Sequence, residues 1–518
     1  MILDTSTVDD NLTLTAEVCV VGSGAGGAVA ARELAEAGRS VVVVEDGSYV
    51  RSADFVQREE TMYPRLYRES GTAATADYTV LVSQGRAVGG STVASFCLCV
   101  RPPRPLLSYW ERAFELPGLR YEAMLRYFRK VEKQIGARRL TPEQLNPNGQ
   151  KLLTGSERLG YRGYLPFHNR HDCLECGYCA LGCTYDRKGD MLTTYVPAAS
   201  RAGAVIVPDC AVHEIATRDG RVVGVRGAFH RSRTGETYTL KVDAEVVILA
   251  AGAVNSPRIW RQSRLPDPAD QVGRNLRVHP HVVVSALYPE PIVAWRGIPQ
   301  GYVVDEFLTL GDRDAGYGYL LVPTFAHPVV AASILPGYGA AHRELMRLYP
   351  RLGGIGIFLH DHSHGRLEFD ETGPPTVAYR LGATDEEQLL DALVKASEVS
   401  FAAGAEKVFL PYNDVVAVGR RGAYQAIRDH GVRLNDPLFV SYQPQGTLRM
   451  GGDPRRSVVN SFGAAHAVRN LFVCDASVFP TSVAVPPQIA VMALATRTAQ
   501  HVAGHGERYF SRPLRRAS

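Results

Sequence analysis

Four thiols stand within eleven residues of this chain, Cys173, Cys176, Cys179 and Cys183, in the run CLECGYCALGC. The C-x2-C-x2-C-x3-C spacing is that of an iron–sulfur run, whose short loops fold back on one centre. Tetrahedral zinc uses the same ligands, and thiols or disulfides without a metal are the third reading. Ferredoxin-type runs carry proline after the last cysteine, where this chain has Thr184, and in two-cluster proteins the fourth cysteine serves another cluster. A cluster near a redox cofactor would provide a one-electron exit. A second group of side chains fit for chemistry is His360, His362 and His364, in an apolar run that reads as a strand. Period two would place the three imidazoles on one face, as a base, as part of a metal site, or as a solvated strand end.

A third signal opens the chain. Glu17 to Glu45 reads EVCVVGSGAGGAVAARELAEAGRSVVVVE. Apolar runs at Val18 to Val21 and Val41 to Val44 flank Gly22-x-Gly24-x-x-Gly27 and an alanine-rich helical stretch. The order is strand, tight turn, helix, strand, with an acid at the end. Gly22 permits the turn, Gly24 lets backbone approach a pyrophosphate, and Gly27 lets the helix pack on the strand. The helix start offers unpaired N–H groups to phosphate. Glu45 accepts from ribose hydroxyls and would repel a 2′-phosphate. The motif predicts a dinucleotide site without separating NAD from FAD.

Three further segments do separate them: GRAVGGST at Gly85 to Thr92, AAGAVNSP at Ala250 to Pro257 after an apolar strand, and the long stretch from Asn470 to Ala503. Together, in this order and across most of the chain, they resemble the glucose–methanol–choline (GMC) oxidoreductases, bacterial cysteine-rich branch. The resemblance implies FAD, with Gly89, Gly90 and Ser91 beside the pyrophosphate and flavin and Val212 at the adenine. It implies that Asp475 and Ala476 close over the phosphates and that Pro487 and Gln488 face the pyrimidine end of the flavin. A dipole from the helix after Pro487 would favour the anionic reduced flavin.

The expected fold is α/β, a Rossmann-like FAD-binding domain with an antiparallel-sheet substrate domain. The FAD domain is assembled from residues 1–105, 192–283 and 438–518. Residues 106–191 form a cysteine-containing insertion and 284–437 a substrate domain. That last part holds short β-branched and aromatic runs (YGYLLVPTF, GIGIFLHDHSHGRLEFD, TVAYRL) and one helix, whose start at Thr384 to Glu387 reads as a capping box.

The resemblance also exposes a departure. The family's catalytic histidine falls at Gln443, in SYQPQGT, and its second polar partner falls at Pro486. An asparagine usual a few residues past GGST is Ser95 here. A glutamine amide accepts no proton at neutral pH, and proline offers no side-chain hydrogen bond. Losing a general base costs a factor of about 10² to 10⁴ in rate. His360 or His362 could supply a relocated base, while His279 and His281, in VHPH, are read as structural. The expected activity is FAD-dependent oxidation of a CH–OH, or adjacent CH–CH, group of a small molecule, with a place in specialised metabolism. Non-redox or light-driven chemistry on the same fold is the alternative, and a flavin-binding pseudoenzyme a third. The electron acceptor stays open between dioxygen, a quinone and a redox protein.

Composition excludes other classes. A net charge of +4 over 518 residues argues for no nucleic-acid partner. The basic tail Arg508 to Arg516 reads as a solvated terminus. No apolar run approaches the roughly 18 residues of a membrane helix, and the first residues lack the pattern of a secretory signal. Cytoplasmic placement is expected, with the remaining five cysteines as buried thiols.

Overall fold

The computed structural model describes residues 1–3, 5–311, 316–370 and 373–511; the basic tail runs past the described residues after 511. The first strand, Leu12–Val21, is partly exposed at its start and wholly buried from Val18 onward. Its buried half has a strand on each side, Val18 pairing in parallel with Val41 and with Val246. Strands inside a covered parallel sheet read as near-continuous apolar runs, which is why VCVV and VVVV show no alternation. Each buried valine contributes about 1.5–3 kcal/mol.

The sheet has seven strands in the order Val205–Val207, Val41–Val44, Leu12–Val21, Thr239–Leu249, Arg221–Phe229 and Cys210–Arg218, with Leu471–Val473 also paired to Thr239–Leu249. Its members come from widely separated stretches of chain. After the first strand Gly22 turns at φ +98°, and a Cβ there would lie 2.4 Å from the Ala250 carbonyl oxygen. A Cβ at Gly27 would lie 1.9 Å from the Gly22 oxygen, so only glycine lets the helix Gly27–Glu36 sit this close to the turn. The helix packs against Gln488–Gly504 from the other end of the sequence.

A second, ten-stranded and mainly antiparallel sheet is centred on His281–Leu287, Leu352–Leu359 and Tyr317–Thr324. Period two divides its residues. Val282, Val284, Ile355 and Ile357 join a core with Leu152, Leu389 and Leu393 of the helices Pro147–Leu159 and Ala383–Ala402. His281, Val283 and Ser285 lie on the opposite face, paired across with Phe358, Gly356 and Gly354. The architecture is the mixed α/β one expected, a dinucleotide-type sheet beside an antiparallel sheet.

Two local expectations are corrected. The helix Ala383–Ala402 is preceded by Gly382, and no side chain caps it. Asp385 instead accepts the backbone N–H groups of His362 and Ser363 at 3.0 and 2.6 Å, so the capping box is not made. The strand expected to carry the three histidines ends at Leu359, leaving His360 to His364 on irregular backbone where a period of two does not apply.

Candidate active site

Both sheets line a cavity of about 950 Å³. At one end it is bounded by Gly22, Gly24, Gly90, Ser91, Glu45, Val212, Asp475, Ala476, Pro487 and Gln488. Gly27 and Gly89 stand behind this wall. Gly89 donates its N–H to Ser23 Oγ at 2.9 Å, and Ser23 donates its own N–H and hydroxyl to Glu45, each at 2.8 Å. The other Glu45 oxygen accepts from Gly47 N–H at 2.8 Å. Burial still raises the Glu45 pKa against these three bonds, and the carboxylate keeps lone pairs for a hydroxyl donor.

Asp475 ties distant segments together. It accepts from Gly252 N–H at 2.9 Å, Ser256 Oγ at 2.5 Å and Ser477 N–H at 2.8 Å. Gln488 donates through Nε2 to the Leu98 carbonyl at 2.7 Å, while its Oε1 is buried without a partner among the described residues. An orphaned acceptor in a cavity wall costs about 1–3 kcal/mol unless a ligand supplies a donor. The imide N–H of a flavin is such a donor, so the donor set and the glycine-lined wall fit FAD.

Besides Glu45 and Asp475, the charged residues lining the cavity are Asp46, Arg68, Glu69, Arg86 and Arg258. Among the described lining residues from His281 to Pro444 none is Asp, Glu, Lys or Arg.

The Gln443 loop is set against the VHPH segment by two backbone hydrogen bonds between Arg277 and Gln445, each 2.9 Å. Asp361, between the expected histidines, accepts from the N–H groups of Val278 and His279 at 3.1 and 3.3 Å and from the Tyr379 hydroxyl at 2.9 Å. Gln443 Oε1 therefore meets His279 Nδ1 at 2.5 Å. An amide oxygen only accepts, so Nδ1 carries the proton, Nε2 is bare, and the Gln443 NH₂ is left as the donor of the pair. Burial pushes His279 down to about 4 even against that bond.

His281 lines the cavity beside Gln443, its ring 3.9 Å from that of Phe358. Both of its ring nitrogens are buried and have no hydrogen-bond partner among the described residues. Burial, and next the neighbouring His279, push its pKa well below the ordinary value, so the ring is neutral at physiological pH. Ser95 and Pro486 also line the cavity, the Ser95 hydroxyl donating to the Thr92 carbonyl at 3.0 Å. His360 and His362 do not line it, and His362 Nε2 is bonded to the Gly316 carbonyl. The one signal in the sequence for His281 is the pairing of two histidines ahead of an alternating strand. Only the cross-strand register shows that His281 faces inward.

The cysteine run is not seen arranged as a metal site. Among the described residues no group of three or more His, Cys, Asp or Glu side chains is arranged to hold a metal ion. The Arg170 guanidinium stands at 3.7 Å from Cys173 Sγ and 3.9 Å from Cys179 Sγ, a cation beside two of the four thiols. Neither an iron–sulfur cluster nor a structural zinc is supported by this arrangement of the side chains.

Comparison with known proteins decides the family. Residues 63–281 and 361–495 match family models of GMC oxidoreductases, and residues 17–56 match that of an FAD binding domain. An uncharacterised GMC-type oxidoreductase of Mycobacterium tuberculosis is 31% identical over 93% of this chain and 75% of its own length. The chain belongs to the GMC oxidoreductase family. It is an FAD-dependent oxidoreductase. A long-chain-alcohol oxidase of Arabidopsis thaliana is 28% identical over 94% of this chain and 68% of its own. The fold matches that of pyridoxine 4-oxidase from Mesorbium loti, with a TM-score of 0.69 at 17% identity, covering 94% of this chain and 99% of that one. No helix among the described residues is long and apolar enough to cross a membrane.

Proposed function

We propose that this GMC oxidoreductase oxidises the CH–OH group of an uncharged, largely apolar alcohol, with His281 taking the hydroxyl proton. The observation that carries the reading is a neutral, buried imidazole on the cavity wall with both nitrogens unengaged, beside Gln443. Bound FAD supplies the two-electron acceptor for the hydride leaving the substrate carbon. The rest is done by side chains. His279 fixes the Gln443 amide by its oxygen, and the amide NH₂ donates to the substrate oxygen as its negative charge grows. The usual donor and acceptor are thereby exchanged: position 443 stabilises the alkoxide, and a strand residue accepts the proton.

Glu45, Val212, Ser91, Asp475 and Gln488 hold the cofactor in this reading. Residues 1–105, 192–283 and 438–518 form its domain, 284–437 carry the substrate, and 106–191 cover the site. The alternating sheet face explains the substrate class. Gly354 and Gly356 leave the roof thin opposite Ser285 and Val283, and the walls beyond carry no formal charge. Relatives named as oxidases support dioxygen as the electron acceptor and favour redox chemistry over a lyase or photochemical reaction. Nine unpaired cysteines support a reducing cytoplasm. Anaerobic mixing with primary alcohols of increasing chain length tests the reading. The flavin should bleach, faster as the chain lengthens. A yellow, correctly loaded protein that no alcohol bleaches in the dark would refute it.

A further inference from the structure

A further imidazole on the cavity wall is idle in the alcohol chemistry. His327 lines the cavity and is 2% exposed, and its Nε2 is buried without a hydrogen-bond partner among the described residues. It stands between the strand Tyr317–Thr324 and the short helix Pro328–Ile334. Its ring is clamped. Tyr178, from the cysteine run, stacks on it with centroids 4.4 Å apart and planes 16° from parallel, and Phe325 meets it edge-on at 5.3 Å. Phe325 in turn packs at 5.6 Å on Phe96, the residue after Ser95, and all three of Phe96, Phe325 and His327 line the cavity.

Structural duties do not explain this side chain. His327 does not cap the helix it precedes. Glu59 fills that place, accepting from the Val329 and Val330 N–H groups at 2.7 and 3.0 Å. The Tyr349 hydroxyl, which approaches the same loop, donates to the Ala326 carbonyl. An apolar ring would fill the stack equally well, whereas a buried polar atom left unpaired destabilises the free protein. Burial pushes the His327 pKa down to about 4, so the ring is neutral at physiological pH. A neutral Nε2 donates or accepts according to its tautomer, and a hydroxyl, which does both, meets either.

We propose that His327 is a specificity-determining residue that hydrogen-bonds a second hydroxyl of the substrate, which makes the preferred substrate an uncharged diol. This rests on the alcohol reading above and deepens it. His281 and Gln443 take the hydroxyl that is oxidised, and His327 holds the one that is not. The second hydroxyl gives up no proton and no electrons. Its neighbours suit an uncharged group, since among the described lining residues from His281 to Pro444 none carries a formal charge. A mono-alcohol of equal length would leave Nε2 unpaired in the complex, and a site built to pair with a hydroxyl discriminates against analogues that lack it.

The test uses the FAD-loaded protein and anaerobic flavin bleaching with α,ω-diols and primary alcohols of matched chain length. At the best length the diol should bind about tenfold or more tightly than the mono-alcohol, read as the apparent Kd for flavin reduction. His327→Phe keeps the ring stack and removes the nitrogen. It should abolish that preference by raising the apparent Kd of the diol, with the limiting reduction rate and the mono-alcohol values within about threefold of wild type. It should also melt no lower than wild type, because an unpaired buried group has been removed. His327→Gln, which restores a donor and an acceptor, should recover part of the preference. If neither diol nor mono-alcohol bleaches the flavin, the alcohol reading falls and this one with it. If both bleach it with equal apparent Kd at every length, or if the preference survives in His327→Phe, alcohol oxidation stands and the role of His327 is overturned. The wild-type comparison holds whether or not a variant folds.

Discussion

Replacing His281 by asparagine removes the imidazole that lines the cavity beside Gln443. The substitution keeps a polar side chain but loses the ring contact with Phe358 at 3.9 Å, a packing cost of about 0.5–1.5 kcal/mol. That is too small to unfold a domain of this size, so flavin content should be unchanged. The chemical cost is larger. Removal of a general base lowers the rate by about 10² to 10⁴, equivalent to about 2.7–5.4 kcal/mol of barrier. Rapid anaerobic mixing with alcohol, followed by flavin absorbance, measures the step directly. The pH dependence supplies a second readout. The neutral ring is the active form, and burial depresses its pKa, so the wild-type rate should be level through neutrality and fall only well to the acid side of 6.5. In the variant that acid limb should vanish. A variant rate within about threefold of wild type, or an acid limb that persists unchanged, would refute the assignment of the base.

Gln443→Leu should lower kcat/KM by about 10- to 100-fold through loss of the donor to the substrate oxygen, with FAD binding intact by absorbance. Gly356→Leu fills the cavity roof opposite Val283. Long alcohols should lose kcat/KM while the shortest substrate changes little, as steady-state kinetics over a chain-length series would show. Asp475→Ala strands three donors drawn from two segments. A loss of at least about 1–3 kcal/mol is expected, seen as a lower Tm and weaker FAD retention in thermal melts with and without added FAD.

The parts of this molecule legible in sequence are those whose physics is local. The turn at Gly22 to Gly27 needs glycine for reasons contained in a few residues, and the apolar runs around it announce a covered parallel sheet. Asp475 and Gln488 were legible through the motifs that surround them, though their partners, Gly252 and Leu98, lie far away in the chain. The proposed base was not legible. Whether His281 faces a core or a cavity depends on its pairing with Phe358, and a shift of one residue would reverse it. The histidines at 360 and 362 misled because an apolar run gives no sign of where its strand stops. The cysteine run misled because spacing alone is silent about an arginine that folds back among the thiols.

The strand Leu471–Val473 completes the central sheet, and the residues just after it brace the turn at Gly252 and contact the flavin wall. During synthesis, then, the amino-terminal glycine loop emerges long before anything can hold a coenzyme against it. Flavin capture must wait until the last stretch of polypeptide has left the ribosome. Cells that outrun their riboflavin supply should therefore accumulate colourless chains, and shortening the carboxyl end before the closing helix should cost pigment before it costs expression.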